Sequence, residues 1–150
     1  MTIQRRHPGP AGTKTARGAE GPQDSTTAEI FGGKKVTMFA VPGAFTPGSS
    51  MTHRPGYVVN ADKIKAAGVD SIVCMSVNDA FVMGAWGEAQ NADEILMLAD
   101  GNGEFTTALG LELDGTGFGL GHRSQRFAMI VDDGTVTHLN VEPGAGVDVS

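Results

Sequence analysis

The chain has 150 residues, 40 % of them hydrophobic and 19 % charged, with 22 glycines and a net charge of −6. That is the size and composition of one globular domain with its own core, and no apolar run approaches the roughly 20 residues that cross a bilayer. The charge is uneven: Arg5, Arg6, Lys14 and Arg17 make the first 19 residues +4, whereas the remainder carries seven bases and seventeen acids, an acidic body that argues against nucleic acid as the main partner.

Residues 1–25, "MTIQRRHPGPAGTKTARGAEGPQDS", lack apolar periodicity and read as a basic, poorly ordered or atypical arm holding at most a weak extended pair. No apolar stretch marks a secretion signal, and Pro8, Gly9, Pro10 and Gly12 would break the amphipathic helix of an import sequence. Ser25 or Thr26 followed by Glu29 has the form of a capping box, so "TTAEIF" predicts a short helix stopped by Gly32-Gly33. "KKVTMFAV" (34–41) is β-rich and almost wholly apolar, as a strand covered on both faces must be.

Pro42-Gly43 and a compact loop follow, and a helix is expected from Ser49 or Ser50 to Ala67, with Pro55 kinking or restarting it. "VDSIVCMSV" (69–77) predicts a second buried strand. Asn78 or Asp79 then caps a helix through "AFVMGAWGEAQ", and "EILMLAD" (94–100) is a third strand turned by "DGNG". A short helix "EFTTALG", a glycine-rich loop "DGTGFGLG" and the run "RFAMIVDDGTVTHLNVE" complete the chain. The last reads as a hairpin turning at Asp133-Gly134. Strands alternate with helices and an antiparallel hairpin closes the order, which predicts an α/β sandwich around a mixed sheet with right-handed crossovers.

In open α/β sheets, sites form beyond the carboxyl ends of the strands, where loops meet helix N-termini. The loop 42–48 is such a place, and the amides of Ser49, Ser50 and Met51 would present the positive end of a helix dipole. Ser49 or Ser50 reads first as the helix N-cap. A Ser49–His53 nucleophile–base pair one turn apart is the competing reading, but no carboxylate lies nearby in sequence and no G-x-S-x-G elbow is present. Cys74 is the only cysteine, so no intramolecular disulfide can form, which points to a reducing compartment, the cytoplasm. Its strand makes a buried core cysteine the simplest reading. His7, His53, His122 and His138 lack ligand spacing, so no metal site is expected.

Five blocks, "PGAFTP" (42–47), "H-x-PGY" (53–57), "CMSVNDAFVMGAW" (74–86), "LADGNGEFT" (98–106) and "GFGLGHRSQRFAMIVDDG" (117–134), resemble type II peroxiredoxins, the peroxiredoxin-5-like branch of the thioredoxin-fold thiol peroxidases. The resemblance runs from about residue 26 to 149. It implies a thioredoxin-like sandwich over residues 26–150 and reduction of hydrogen peroxide and alkyl hydroperoxides without a separate cofactor. The implied reductants are glutathione with glutaredoxin, or thioredoxin, and homodimers that use the loops around the site. It also implies that the C-terminal helix usual in relatives is absent here.

The family's Pro-x-x-x-Thr-x-x-Cys signature falls on Pro42, Thr46 and position 49, where the family's peroxidatic cysteine is replaced by Ser49. By the resemblance, Pro42 shields the nucleophile, the Thr46 hydroxyl binds the thiolate and the incoming oxygens, and Arg126 stabilises the thiolate and polarises the O–O bond. In some relatives a cysteine at the position of Cys74 takes part in resolving the sulfenic acid. Serine cannot replace a thiolate: helix and arginine fields shift a pKa by a few units, too little to ionise an alcohol at neutral pH, and its oxygen has no sulfenic state. The chain is therefore expected to be inactive or nearly so, with a non-catalytic binding or oligomerisation module as the alternative and weak thiol chemistry through Cys74 behind it.

Overall fold

A computed structural model describes residues 13–17, 21–24, 27–46, 66–89 and 95–142. The three apolar runs become β3 (Lys35–Val41), β4 (Ser71–Ser76) and β5 (Ile95–Asp100), which lie parallel to one another at the centre of the sheet. They are central because neither of their faces can be left in water. Alternate residues divide between two apolar layers, as the period of two in a strand requires.

On one side Val36, Met38, Ala40, Val73, Met75 and Leu98 pack with Phe31 and Phe105. Phe31 belongs to α1 (Thr27–Phe31) and Phe105 to α3 (Glu104–Leu109), and their rings meet with centroids 6.1 Å apart. On the other side Phe39, Val41, Ile72, Cys74, Met97 and Ala99 pack against Ala80, Met83 and Trp86 of α2 (Ala80–Ala89). Each fully buried large apolar side chain contributes roughly 1.5–3 kcal/mol of transfer free energy, so these layers dominate the stability of the domain.

The hairpin of β8 (Phe127–Asp132) and β9 (Thr135–Val141) joins antiparallel to β3. Its turn is Asp133-Gly134, with both residues at positive φ (49° and 82°), the conformation an Asp-Gly pair tolerates in a tight hairpin. The turn is tied to the end of α1, since the Gly33 amide donates to Asp133 Oδ1 (2.6 Å) and the Asp133 amide donates to the Lys34 carbonyl (2.9 Å).

At the far edge β1 (Thr13–Arg17) pairs with β5 and β2 (Gly21–Asp24) pairs with β1, both antiparallel. The weak extended pair expected in the first 25 residues thus extends the sheet to seven strands, in the order β2-β1-β5-β4-β3-β8-β9. The architecture is the expected mixed sheet flanked by helices and closed by an antiparallel hairpin. One element was unforeseen. Within the glycine-rich region, β6 (Glu112–Asp114) and β7 (His122–Ser124) form a separate two-stranded sheet around a short 3₁₀ turn at Thr116–Phe118. The helix expected between Ser49 or Ser50 and Ala67 lies almost wholly outside the described residues. Among the described residues no helix is long and apolar enough to cross a membrane.

Candidate active site

The carboxyl ends of β3 and β4 stop side by side, in register from Val36↔Ser71 to Val41↔Ser76, and the loops that leave them are bonded together. Beyond β3, Pro42 is buried and the chain turns through Gly43, Ala44, Phe45 and Thr46. The Thr46 hydroxyl donates to the Gly43 carbonyl at 2.7 Å, and the Thr46 amide reaches the same oxygen at 3.4 Å. Phe45 completes the turn at a φ of 62°, a left-handed conformation rare for a bulky residue. Its ring is 54 % exposed and leans over Trp86, with centroids 6.4 Å apart.

Beyond β4, Asn78 Oδ1 accepts from the Ser76 hydroxyl (2.6 Å) and from the Ala44 amide (2.9 Å), which links the two loops through one side-chain oxygen. Asp79 caps α2, its Oδ1 accepting the Val82 amide at 2.8 Å, one of the two caps foreseen from the sequence. A third loop joins from the small sheet. Half-buried Arg123 donates from Nε to the Leu120 carbonyl (2.9 Å) and from Nη1 to the Val77 carbonyl (3.2 Å), with the Pro42 carbonyl 3.5 Å from Nη1.

Arg126 immediately precedes β8. Since Phe127 pairs with Ala40, Arg126 stands level with Val41 and hence next to Pro42 in the chain. The guanidinium is buried, 1 % exposed, with Nε 3.7 Å from a carboxylate oxygen of Glu142, itself buried. Burial lowers the Arg126 pKa and the Glu142 charge partly restores it. An arginine so far from ordinary titration stays a fixed cation. Arg126 is thus an interior cation held at the end of the sheet from which the Pro42–Thr46 loop departs.

Cys74 is 0 % exposed in the middle of β4, opposite Phe39 and Met97 in the ladder, as expected of a core cysteine. Ser49, with Ser50 and His53, lies outside the described residues. The structure thus brings Pro42, Thr46 and Arg126 to one end of the sheet and leaves Cys74 sealed inside it. Among the described residues no cluster of His, Cys, Asp and Glu could hold a metal ion.

Three participants were missed in the sequence. Asn78 was read only as a possible helix cap, whereas its side chain bonds the neighbouring loop. Arg123 carried no signal, since its acceptors are backbone carbonyls. Glu142 is brought opposite Arg126 by a register shift between Ile130 and Val131, so that Phe127 pairs with Val141 and the Glu142 amide donates to the Arg126 carbonyl at 2.9 Å. Counting outward from the turn without that shift would have paired Arg126 with Val141.

Comparison with known proteins matches residues 7–150 to the redoxin family. Among curated relatives the chain is 48 % identical over 124 residues to Peroxiredoxin sll1621 of Synechocystis, covering 83 % of this chain and 66 % of that protein. It is 50 % identical over 129 residues to Peroxiredoxin-2B of Arabidopsis thaliana, covering 85 % of this chain and 80 % of the relative. Among solved structures, reduced Prx3 of Vibrio vulnificus in complex with hydrogen peroxide superposes with a TM-score of 0.87 at 57 % identity, covering 100 % of this chain and 88 % of that one. Peroxiredoxin 5 of Alvinella pompejana gives a TM-score of 0.78 at 39 % identity, over 94 % of this chain and 90 % of its own.

Proposed function

This chain belongs to the redoxin family and has the thioredoxin-like fold of the peroxiredoxins, and on that premise we propose that it is a thiol-peroxidase scaffold whose nucleophile has been replaced by Ser49. In an active member the thiolate attacks one peroxide oxygen. The S–O bond forms as the O–O bond breaks, sulfur is oxidised to a sulfenic acid, and the departing oxyanion takes a proton to leave as water or an alcohol. Reductant thiols then return the sulfur to the thiolate.

The surrounding residues suit that step. The Thr46 hydroxyl donates to the Gly43 carbonyl, and in that arrangement its oxygen can accept from a peroxide O–H. Arg126 is a preplaced cation for the charge that develops on the leaving oxygen, useful because it does not reorganise during the reaction. Pro42, which opens the same loop, is buried. Glutathione with glutaredoxin is our reading of the reductant, with thioredoxin as the other thiol source. A hydroperoxide, or a carboxylate of similar shape, remains a ligand of the pocket. The lone cysteine supports a reducing compartment, the cytoplasm in our reading, although some relatives are named as chloroplastic.

The single observation that carries the inactivity is Ser49 in the signature, joined by the burial of the only thiol: Cys74 is 0 % exposed. The test is hydrogen peroxide consumption with glutathione and glutaredoxin supplied, on the chain as written and on Ser49→Cys. Turnover confined to Ser49→Cys is expected. Equal turnover in both would contradict the proposal.

A second reading, a binding or oligomerisation module, is favoured by Phe45, Phe81 and Phe118, which are 54 %, 75 % and 81 % exposed. Exposed aromatics of that size commonly mark a contact surface. A homodimer in size-exclusion chromatography with light scattering is its expected result, and a strict monomer at high concentration would argue against it.

A further inference from the structure

The Pro42–Ala44 backbone is gripped by two side chains, Asn78 from the loop after β4 and Arg123 from β7, neither of which belongs to the signature. We infer that Arg123, acting together with Asn78, is a positioning residue that sets the Pro42–Thr46 loop; the inference deepens the peroxidase reading and rests on it for its catalytic consequence.

The geometry is specific. On one side the Arg123 guanidinium spans the Val77 carbonyl at 3.2 Å and the Pro42 carbonyl at 3.5 Å, while its own Nε is fixed on the Leu120 carbonyl at 2.9 Å. On the other side the Ala44 amide is held by Asn78 Oδ1 at 2.9 Å, and Asn78 is oriented by the Ser76 hydroxyl at 2.6 Å. Gly43 lies between the two grips. A Cβ there would stand 3.2 Å from Arg123 Nη1 and 2.9 Å from Thr46 Cγ2, so the grip closes around a residue with no side chain.

Three separate connections meet at Arg123: the loops after β3 and β4, and the turn that ends in β7. Only a planar fork of several donors can serve carbonyls in different directions from one side chain, which a lysine ammonium on a flexible stem does poorly. The consequence falls on Thr46. Its hydroxyl and amide both reach the Gly43 carbonyl, so the orientation of the Pro42–Gly43–Ala44 peptides decides where the Thr46 oxygen stands. A shift of about 1 Å at a reacting centre is enough to lose on the order of a hundredfold in rate.

The test has two parts. In the chain as written, amide hydrogen exchange by NMR is compared for the parent, Arg123→Met and Arg123→Lys. The Ala44 and Thr46 amides do not bond Arg123 directly, and they are expected to exchange at least about tenfold faster in Arg123→Met, with Arg123→Lys close behind. The β5 amides of Met97 and Leu98 keep their protection, which distinguishes loop release from unfolding; if Arg123→Met loses that protection too, Arg123→Lys carries the comparison. Unchanged Ala44 and Thr46 exchange in a folded variant overturns the inference.

In the Ser49→Cys background, Arg123→Met is expected to lower kcat/KM for hydrogen peroxide by roughly 10- to 100-fold, with the pH midpoint of thiol alkylation nearly unmoved. A midpoint raised by a unit or more would mean that the arginine acts on the thiolate through its charge, and would overturn the positioning role. A Ser49→Cys protein that is silent with Arg123 intact counts against the peroxidase reading alone, because the exchange result is read without any turnover.

Discussion

Phe45 is held at a φ of 62° while its ring stays 54 % exposed, so local strain is retained without the burial that usually compensates it. A left-handed conformation costs a residue with a Cβ about 1–2 kcal/mol, and such outliers gather at functional loops. Phe45→Gly and Phe45→Ala both lose the ring contact with Trp86, yet only glycine escapes the strain. Phe45→Gly is therefore expected to be more stable than Phe45→Ala by about 1 kcal/mol in urea unfolding. The reverse order would mean that the turn relaxes around any small residue. Arg126 gives a second prediction. Replacing Glu142 by Gln removes the negative charge 3.7 Å from a guanidinium that is 1 % exposed. Because breaking a pair of buried charges is costly, Glu142→Gln is expected to destabilise by roughly 3–5 kcal/mol, read as a lowered denaturation midpoint at unchanged m-value.

Between residues and domain, short elements depend on single side chains that arrive from elsewhere. The helix α3 begins at Glu104 after Gly103, which offers no cap of its own. Asp100, at the end of β5, supplies it: its two carboxylate oxygens accept the amides of Phe105 (3.2 Å) and Thr106 (2.8 Å) and the Thr106 hydroxyl (2.7 Å), all in a buried setting. Asp100→Ala leaves two buried amides unsatisfied and is expected to cost about 2–4 kcal/mol, with loss of amide protection starting in α3. An effect under about half a kcal/mol would show that water takes over the cap. This cap also explains what sequence could and could not reveal. The central strands were legible because apolar runs such as "SIVCMS" have only one place to go, and the last hairpin because Asp-Gly suits its turn. The pair β6–β7 was not, since three-residue strands with half-exposed faces carry no period. The pairing of "TKTAR" with β5 was not legible, because backbone hydrogen bonds do not depend on an apolar pattern. For the site, Pro42, Thr46 and Arg126 are candidates that resemblance supplied. Asn78, Arg123 and Glu142 escaped because their roles exist only once distant loops and a shifted register bring them together.

At the scale of the whole domain, the same sheet that presents the Pro42–Thr46 loop at the carboxyl end of β3 keeps the only thiol out of reach. Cys74 lies on a central strand under α2, with Met97 and Phe39 beside it, so it is exposed only when the sheet opens. Its reaction with a thiol reagent is expected to be negligible in the native protein and complete in guanidinium, at a native-state rate that follows global unfolding. The central claim is that the fold retains a peroxidatic socket whose reacting atom is an unreactive oxygen. It is tested most directly by trapping sulfenic acid with dimedone after one equivalent of hydrogen peroxide, and locating the adduct by peptide mass spectrometry in the chain as written and in Ser49→Cys. No adduct in the former and an adduct at position 49 in the latter is the expected result. An adduct on Cys74 in the unaltered, folded chain would contradict the account, because it would place peroxide chemistry in the core and leave Ser49 irrelevant to it.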